Sequence, residues 1–159
     1  MKLVAQVQLK PTPQQAQLLR RTMERANKAC NHLSQHAWEG KTFGRYGLHK
    51  VAYHDTRGRF PSLSSQVVVR CIAKVSDAYR LGRERQRCFR TEGGIAHDAR
   101  ILTWKGEGEA VSIWTVGSRQ RIAYGCGDRQ RSLLRHRGAA FYLHQSCEVQ
   151  TPKEGAPEG

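Results

Sequence analysis

The clearest pattern along the chain is a stripe of apolar residues spaced three and four apart, which is typical of one face of a helix. Thr12 followed by Pro13 and Gln15 predicts a capping-box start, because proline suits the first helical position and Thr and Gln can bond each other's backbone. Gly40 predicts the end of this long helix. Its predicted core face consists of Ala16, Leu19, Met23, Ala26, Cys30, Leu33 and Ala37.

Two more helices follow in the first half of the chain. Residues 48–55 allow a helix of two or three turns, closed by Gly58 and Pro61. Residues 64–80 predict a third helix with Ser64 as its cap. The buried stripe of this third helix consists of Val68, Ile72, Val75 and Tyr79.

From about residue 94 the apolar period changes to two, which is typical of strands. The region 95–102 predicts a strand pair, and a turn at Gly117-Ser118 predicts a hairpin between 110–116 and 119–124. Trp104 and Trp114 are predicted to lie in the core or at the rim of the resulting sheet. Further predictions are a strand at 3–9, a short basic helix at 128–137 and a last strand at 140–149.

The isolated first strand is too short to be stable alone, so it must pair with the later strands. The predicted fold class is therefore α+β: a small antiparallel β-barrel with a helical bundle inserted after the first strand. Residues 1–10 and 91–149 would form the barrel and residues 11–90 the helical insert. The Pro/Gly-rich residues 150–159 are predicted to be a disordered tail.

The charge of the chain points to an anionic partner. Its 159 residues include 27 Lys and Arg against 13 Asp and Glu, which gives a formal net charge of +14. Most of these cations are arginines, whose planar guanidinium pairs bidentately with phosphate and stacks on bases. This favours a nucleic acid, and RNA at least as well as DNA. The alternative is a basic protein that contacts a membrane surface or an acidic partner.

The densest run of cations has an aromatic residue among its arginines. Such a run is the pattern expected where phosphates are clamped and a base stacks, here on Phe89. The alternative is a solvated helix end whose cations suit the helix dipole. The predicted contacts are Arg80, Arg83, Arg85, Arg87 and Arg90, with a weaker second patch at Arg20, Arg21, Arg25 and Lys28.

The sequence predicts no catalytic residue and no metal site in this chain. It contains no phosphate-binding glycine loop, no zinc motif and no recognisable set of carboxylates for metal ions. His32 and His36 stand four apart, but no third ligand has a fitting spacing, so we interpret them as a polar pair beside the core. The five cysteines are far apart, which predicts reduced thiols buried as small hydrophobic groups.

Four segments resemble, in order, the N-terminal half of TnpB (OrfB) proteins of insertion sequences and of the related miniature type V CRISPR effectors. They are KLVAQVQLKPTPQQAQLLRRTMERANKACNHLSQHAWE, VRCIAKVSDAYRLGRERQRCFR, ILTWKGEGEAVSIWT and FYLHQSCEV. The resemblance covers about residues 2–149. It implies a wedge β-barrel with a helical recognition insert that binds a guide RNA scaffold and reads a short motif beside the DNA target. The residues matching the motif-reading region are Tyr46, Tyr53, Ser65, Gln66 and Arg70.

The chain also departs from this family. It ends where the RuvC-like nuclease domain would begin, and it has no counterpart of the family's catalytic carboxylates or zinc cysteines. Residues 138–140 replace a longer family segment, so one barrel strand is expected to be clipped. The expected function is the recognition component of an RNA-guided complex, with guide RNA and target DNA as partners. A separate RuvC-like chain would supply the nuclease, and Mg²⁺ is expected only there.

Three alternatives stay open: a nuclease-less guide-RNA and DNA-binding regulator or accessory, a truncated form without an independent role, and a plain structured-RNA-binding module. The chain has no run of about 18 apolar residues and no apolar signal core near its start. We therefore expect no membrane partner. The expected location is the cytoplasm of a prokaryotic cell, at the nucleoid when the protein is bound to DNA.

Overall fold

The structure is a computed structural model, and it describes residues 7–98, 100–105, 110–125, 127–129 and 141–143. A strand comes first, then three helices, then five strands. The elements are β1 (Gln8–Lys10), α1 (Pro13–Glu39), α2 (Arg45–Arg59), α3 (Ser65–Leu81), β2 (Ile95–His97), β3 (Leu102–Lys105), β4 (Ala110–Trp114), β5 (Arg119–Gly125) and β6 (Phe141–Leu143). The predictions for residues 1–6, 130–140 and 144–159, including the tail, lie outside the described residues.

Helix α1 has the predicted boundaries and the predicted cap. Gln15 donates its backbone N–H to the Thr12 hydroxyl at 3.2 Å, and Thr12 donates its own N–H to the Gln15 side chain at 3.1 Å. The helix ends before Gly40. The predicted apolar stripe is buried from Leu19 to Ala37, whereas Ala16 is half-buried. This long helix contributes to both hydrophobic cores.

Helices α2 and α3 run antiparallel to each other, and both pack against α1. Ser76 near the end of α3 donates to the Phe43 carbonyl just before α2, at 2.8 Å. Ser64 caps α3 as predicted, accepting the Val67 N–H at 3.3 Å. Helix α2 is longer than the predicted two or three turns, with 15 residues. The three helices enclose the larger core, which also takes in Ile95 and Ile101 from the segment predicted to belong to the barrel.

The prediction that the first strand pairs with the later strands is confirmed. Strand β1 pairs antiparallel with β5, and the four-stranded sheet has the order β1-β5-β4-β3. In the sequence, all three helices therefore come between β1 and the other strands of its sheet, as the predicted insertion requires. The predicted hairpin is present as β4 and β5. The smaller core lies where Leu19 of α1 packs with Ile113 and Ile122 of this sheet.

The predicted strand pair within 95–102 is wrong. Strand β2 pairs with β6, whereas β3 pairs with β4. Strands β2 and β3 do not pair with each other because a turn separates them, in which the Asp98 carbonyl accepts the N–H groups of both Ile101 and Leu102. The α+β class is confirmed. The described strands form an open four-stranded sheet and a separate two-stranded sheet, and they do not close a barrel.

The described cysteines are free thiols, as predicted. Cys30 and Cys71 are buried, and their mutual hydrogen bond, together with burial, raises the pKa of the Cys71 thiol. Cys88 is exposed, which corrects the expectation that every thiol is buried. Among the described helices, none has both the length and the apolar character needed to cross a membrane.

Candidate nucleic-acid interface

The predicted arginine cluster lies mainly on a loop. Helix α3 ends at Leu81, and residues 82–94 form neither helix nor strand. Only Arg80 belongs to the last turn of α3, so the alternative explanation of a solvated helix end applies to that residue alone. We call residues 82–94 the arginine loop.

The arginine loop is anchored to α1 by two asparagines. Asn31 donates to the Phe89 carbonyl at 3.1 Å and accepts the Phe89 N–H at 2.7 Å. Asn27 is fully buried and donates its amide to the carbonyls of Thr91 (3.0 Å) and Gly93 (2.9 Å). Asn31 thus pairs with the loop backbone much as a neighbouring strand would, whereas Asn27 only donates to it. The loop path is therefore fixed at both Phe89 and Gly93.

Helix α3 supplies further anchors. The Tyr79 hydroxyl, which is buried, accepts the Arg87 N–H at 3.1 Å. Ser34 of α1 bonds the same hydroxyl at 2.8 Å and also donates to the Arg87 carbonyl. Lys74 donates to the Gly94 carbonyl at 2.9 Å. Because the backbone polar groups of the loop are used in this way, its exposed side chains project from a fixed scaffold.

Four of the five predicted arginines are exposed: Arg83, Arg85 and Arg90 on the arginine loop, and Arg80 in the last turn of α3. The Arg83 guanidinium lies 5.1 Å from the centre of the Phe43 ring. Arg87 is different, because it is half-buried and donates to the Gly82 carbonyl from Nε (3.1 Å) and Nη2 (2.9 Å). This residue closes the start of the loop.

Phe89 does not match its predicted stacking role. Its ring is half-buried against the helical core, and the Lys74 ammonium lies 5.3 Å from the ring centre. The aromatic residue thus serves to seat the loop. An exposed aromatic ring is offered instead by Tyr46, at the start of α2.

The weaker predicted patch is spread along α1. Arg20, Arg21 and Lys28 are exposed. Lys28 stands one helical turn before Asn31, the residue that holds Phe89, so Lys28 borders the arginine loop, whereas Arg20 and Arg21 stand about three turns before Asn31. Arg25 points elsewhere, because its guanidinium lies 5.3 Å from the centre of the Phe60 ring.

One end of the helical bundle brings Arg80 and Tyr46 together with Arg45 and Leu81, two residues that the sequence patterns did not single out. Arg45 donates to both oxygens of Asp77 at 2.9 Å, and Arg80 lies 3.7 Å from the same carboxylate. Tyr46 and Leu81 at this end are 84% and 87% exposed. Leu81 follows Arg80 directly in the chain, whereas Tyr46 reaches this end only through the antiparallel packing of α2 and α3, which no sequence pattern reveals.

The structure does not bring the five predicted motif-reading residues together. Tyr46 follows Arg45, whose guanidinium binds Asp77 near the end of α3, whereas Ser65 and Gln66 lie at the start of α3, roughly 16 Å from Asp77 at 1.5 Å per residue. Ser65 is exposed. Tyr53 is half-buried and stacks on His49, with ring centres 4.5 Å apart.

Gln66 and Arg70 both bind Asp98. Arg70 donates to the carboxylate at 2.9 Å from Nη2, and Gln66 donates to the same oxygen. Burial opposes the charge of Asp98, but the Arg100 N–H, Arg70 and Gln66 together outweigh it and lower the pKa of that carboxyl. The two predicted base-reading side chains therefore join α3 to the turn after β2.

A second polar cluster joins α1 to α2. The Asp55 carboxylate of α2 lies 2.7 Å from His32 Nε2 and 3.2 Å from His36 Nε2. These two bonds lower the pKa of Asp55. The sequence showed the histidine pair, but spacing could not reveal the third member, because it comes from a separate helix.

Comparison with known proteins adds no assignment. No protein-family model matches the chain, and no curated protein matches it either. The resemblance to the N-terminal half of TnpB proteins therefore stays a prediction.

Proposed function

We propose that this protein binds structured RNA through the arginine loop and the adjoining face of α1. The observation that carries the proposal is the anchoring of the loop by Asn27 and Asn31. A cationic surface that served solubility alone would have no need of a fully buried amide to hold its path. Fixing the loop lowers the entropy lost when its arginines engage phosphates.

The chemistry of this surface suits RNA. Exposed guanidinium groups form bidentate hydrogen bonds with phosphates, and their planes stack on unpaired bases. Tyr46 offers an exposed ring at the bundle end where Arg80 and Arg83 also lie, so a base and its phosphates have neighbouring partners. The net charge of +14 would draw a polyanion to the chain from solution.

We further propose that this RNA is a guide, and that the chain is the recognition component of an RNA-guided DNA-targeting complex with its sheet as the wedge-like part. The sequence resemblance supports this step. Cleavage would belong to a separate RuvC-like chain with Mg²⁺. In support, three of the described aspartates, Asp55, Asp77 and Asp98, are each engaged by cations or histidines and lie on different elements, so these three do not converge on one metal site.

A second candidate is a structured-RNA-binding module that reads no DNA motif. The engagement of Gln66 and Arg70 by Asp98 favours it, because these side chains are already paired. Native purification distinguishes the candidates: a nuclease chain that copurifies supports the split complex, and RNA alone supports either the module or a nuclease-less regulator. Motif-dependent binding of DNA by the protein–RNA complex separates these last two.

The decisive test removes charge without disturbing the fold. Arg85 and Arg90 are exposed, as are Lys50 and Arg59 on α2, so R85A/R90A and K50A/R59A lose the same charge from different surfaces. Binding of the RNA that copurifies with the protein is measured across salt concentrations. We expect the slope of log K against log salt to fall by about 1.5 in R85A/R90A, since each phosphate contact contributes about 0.7–0.9.

The control variant K50A/R59A should keep the slope of the parent chain. An equal change in both variants would mean that binding depends on total charge and not on the arginine loop. Failure to recover any RNA with the native protein would overturn the proposal altogether.

A further inference from the structure

The cluster of His32, His36 and Asp55 has the composition of a metal site. Two imidazole nitrogens and one carboxylate oxygen converge, and these three atoms all lie within 4.8 Å of one another. We propose that they bind a divalent transition metal of the zinc class, which links α1 to α2. This site is separate from the arginine loop and does not depend on the proposed RNA binding.

The spacing of the three atoms is close to what a bound ion needs. Zinc lies about 2.0–2.1 Å from histidine nitrogen, so tetrahedral ligand atoms are about 3.3 Å apart. Asp55 Oδ2 is 3.2 Å from His36 Nε2 and 2.7 Å from His32 Nε2. To reach this geometry the closer pair would separate by about half an ångström, and the two imidazole nitrogens, which lie within 4.8 Å of each other, would approach by at most about 1.5 Å. Rotations of the partly exposed His36 and Asp55 side chains would supply these shifts.

Both helices hold the ligands in place. His32 and His36 stand four apart on α1, so their rings share one face, with ring centres 4.8 Å apart. His32 is the more enclosed of the two, and its ring meets Phe60 edge-on. Asp55 stands across from them on α2. The site is thus built by the packing of two helices.

The ligand set selects the kind of ion. Imidazole nitrogen suits zinc and its neighbours in the first transition row, whereas Mg²⁺ and Ca²⁺ prefer oxygen ligands alone. The side chains of His36 and Asp55 are 37% and 58% exposed, so an ion can enter from solvent and water can complete its coordination. The carboxylate supplies negative charge at a site on a strongly basic protein, where a cation would otherwise be repelled.

The test uses the tag-free full chain, titrated with Zn²⁺ by calorimetry and followed by thermal melting. D55N keeps the size of the side chain but removes its charge, and H36A removes one nitrogen from a partly exposed position. Each should weaken Zn²⁺ binding by about tenfold or more and reduce the rise in melting temperature that zinc produces. Circular dichroism without metal checks that both variants fold, and D55N carries the test if H36A does not.

Two controls separate this site from other ligands. H49A removes an exposed histidine of α2 outside the cluster and should bind Zn²⁺ like the parent chain. Co²⁺ should show visible bands without the near-ultraviolet band of a thiolate, which excludes binding by Cys88. Absence of Zn²⁺ binding, equal affinity in D55N and the parent chain, an equal loss in H49A, a thiolate band, or Mg²⁺ binding of equal strength would each overturn the proposal.

Discussion

Substitution of Asn27 tests whether this residue holds the arginine loop in place, because its buried side chain joins α1, the loop and α3. Its amide donates to Met23 of α1 at 3.0 Å and to two loop carbonyls, and its oxygen accepts the Lys74 ammonium at 2.7 Å. Replacing Asn27 with Ala removes all of these bonds at once. The loop carbonyls are then left partly buried without this donor.

The expected loss can be worked out from these contacts. A typical hydrogen bond contributes about 0.5–1.5 kcal/mol, and one to a charged group contributes about 1.5–3 kcal/mol. Two amide protons serve three acceptors, so the neutral bonds are not fully additive. Lys74 keeps its bond to the Gly94 carbonyl. We expect N27A to lower the free energy of unfolding by about 2–4 kcal/mol.

Urea unfolding, followed by circular dichroism, measures this loss directly. N31A is the matched control, because Asn31 is exposed and, within the described part of the chain, its side chain bonds only to Phe89, so its loss should be about 1 kcal/mol. N27D keeps an acceptor for Lys74 but places an oxygen against the loop carbonyls. Comparison of N27D with N27A should therefore separate the contribution of the Lys74 bond from that of the bonds to the loop. RNA binding by the folded N27A variant should also weaken, because the loop must then be ordered on binding.

A loss below about 1 kcal/mol in N27A would refute the energetic reasoning, since a single net hydrogen bond would account for it. Equal losses in N27A and N31A would show that burial of Asn27 adds nothing. A destabilised N27A that binds RNA as tightly as the parent chain, at the same salt concentration, would show that a fixed loop is not needed for binding.

Three further predictions concern the cap, the loop closure and a buried histidine. T12A removes one bond of the capping box and should destabilise the protein by about 1 kcal/mol in urea unfolding, whereas an unchanged midpoint would contradict the role of the cap. R87A removes two bonds to the Gly82 carbonyl and should raise hydrogen exchange at residues 82–88, while exchange that matches R85A would show that Arg87 does not close the loop. Burial lowers the pKa of His97 below its usual 6.5, so the unfolded chain takes up a proton that the folded chain does not. Stability should therefore be full above pH 6.5 and decline below it, by at most about 1.4 kcal/mol per pH unit, and a decline that persists in H97Q would assign it to another group.

The sequence was enough to predict the helices because their signals are local. The Thr12 cap, the Gly40 end and the apolar stripe of α1 all lie within one segment, and the structure has each of them. The insertion of the helices between paired strands also followed from the sequence, since a lone first strand needs a partner. The pairing of β2 did not, because its partner β6 lies more than 40 residues further along the chain and the turn at Asp98 redirects the backbone.

The candidate sites divide in the same way. Composition and spacing determined that arginines cluster after α3 and that His32 and His36 share one face of α1. Only the tertiary structure decided that Asn27 and Asn31 hold the loop, that Arg87 turns inward, and that Asp55 meets the histidines. The physical reason is that each of these contacts joins segments brought together by helix packing, whereas a pattern along the chain records only neighbours within a few turns.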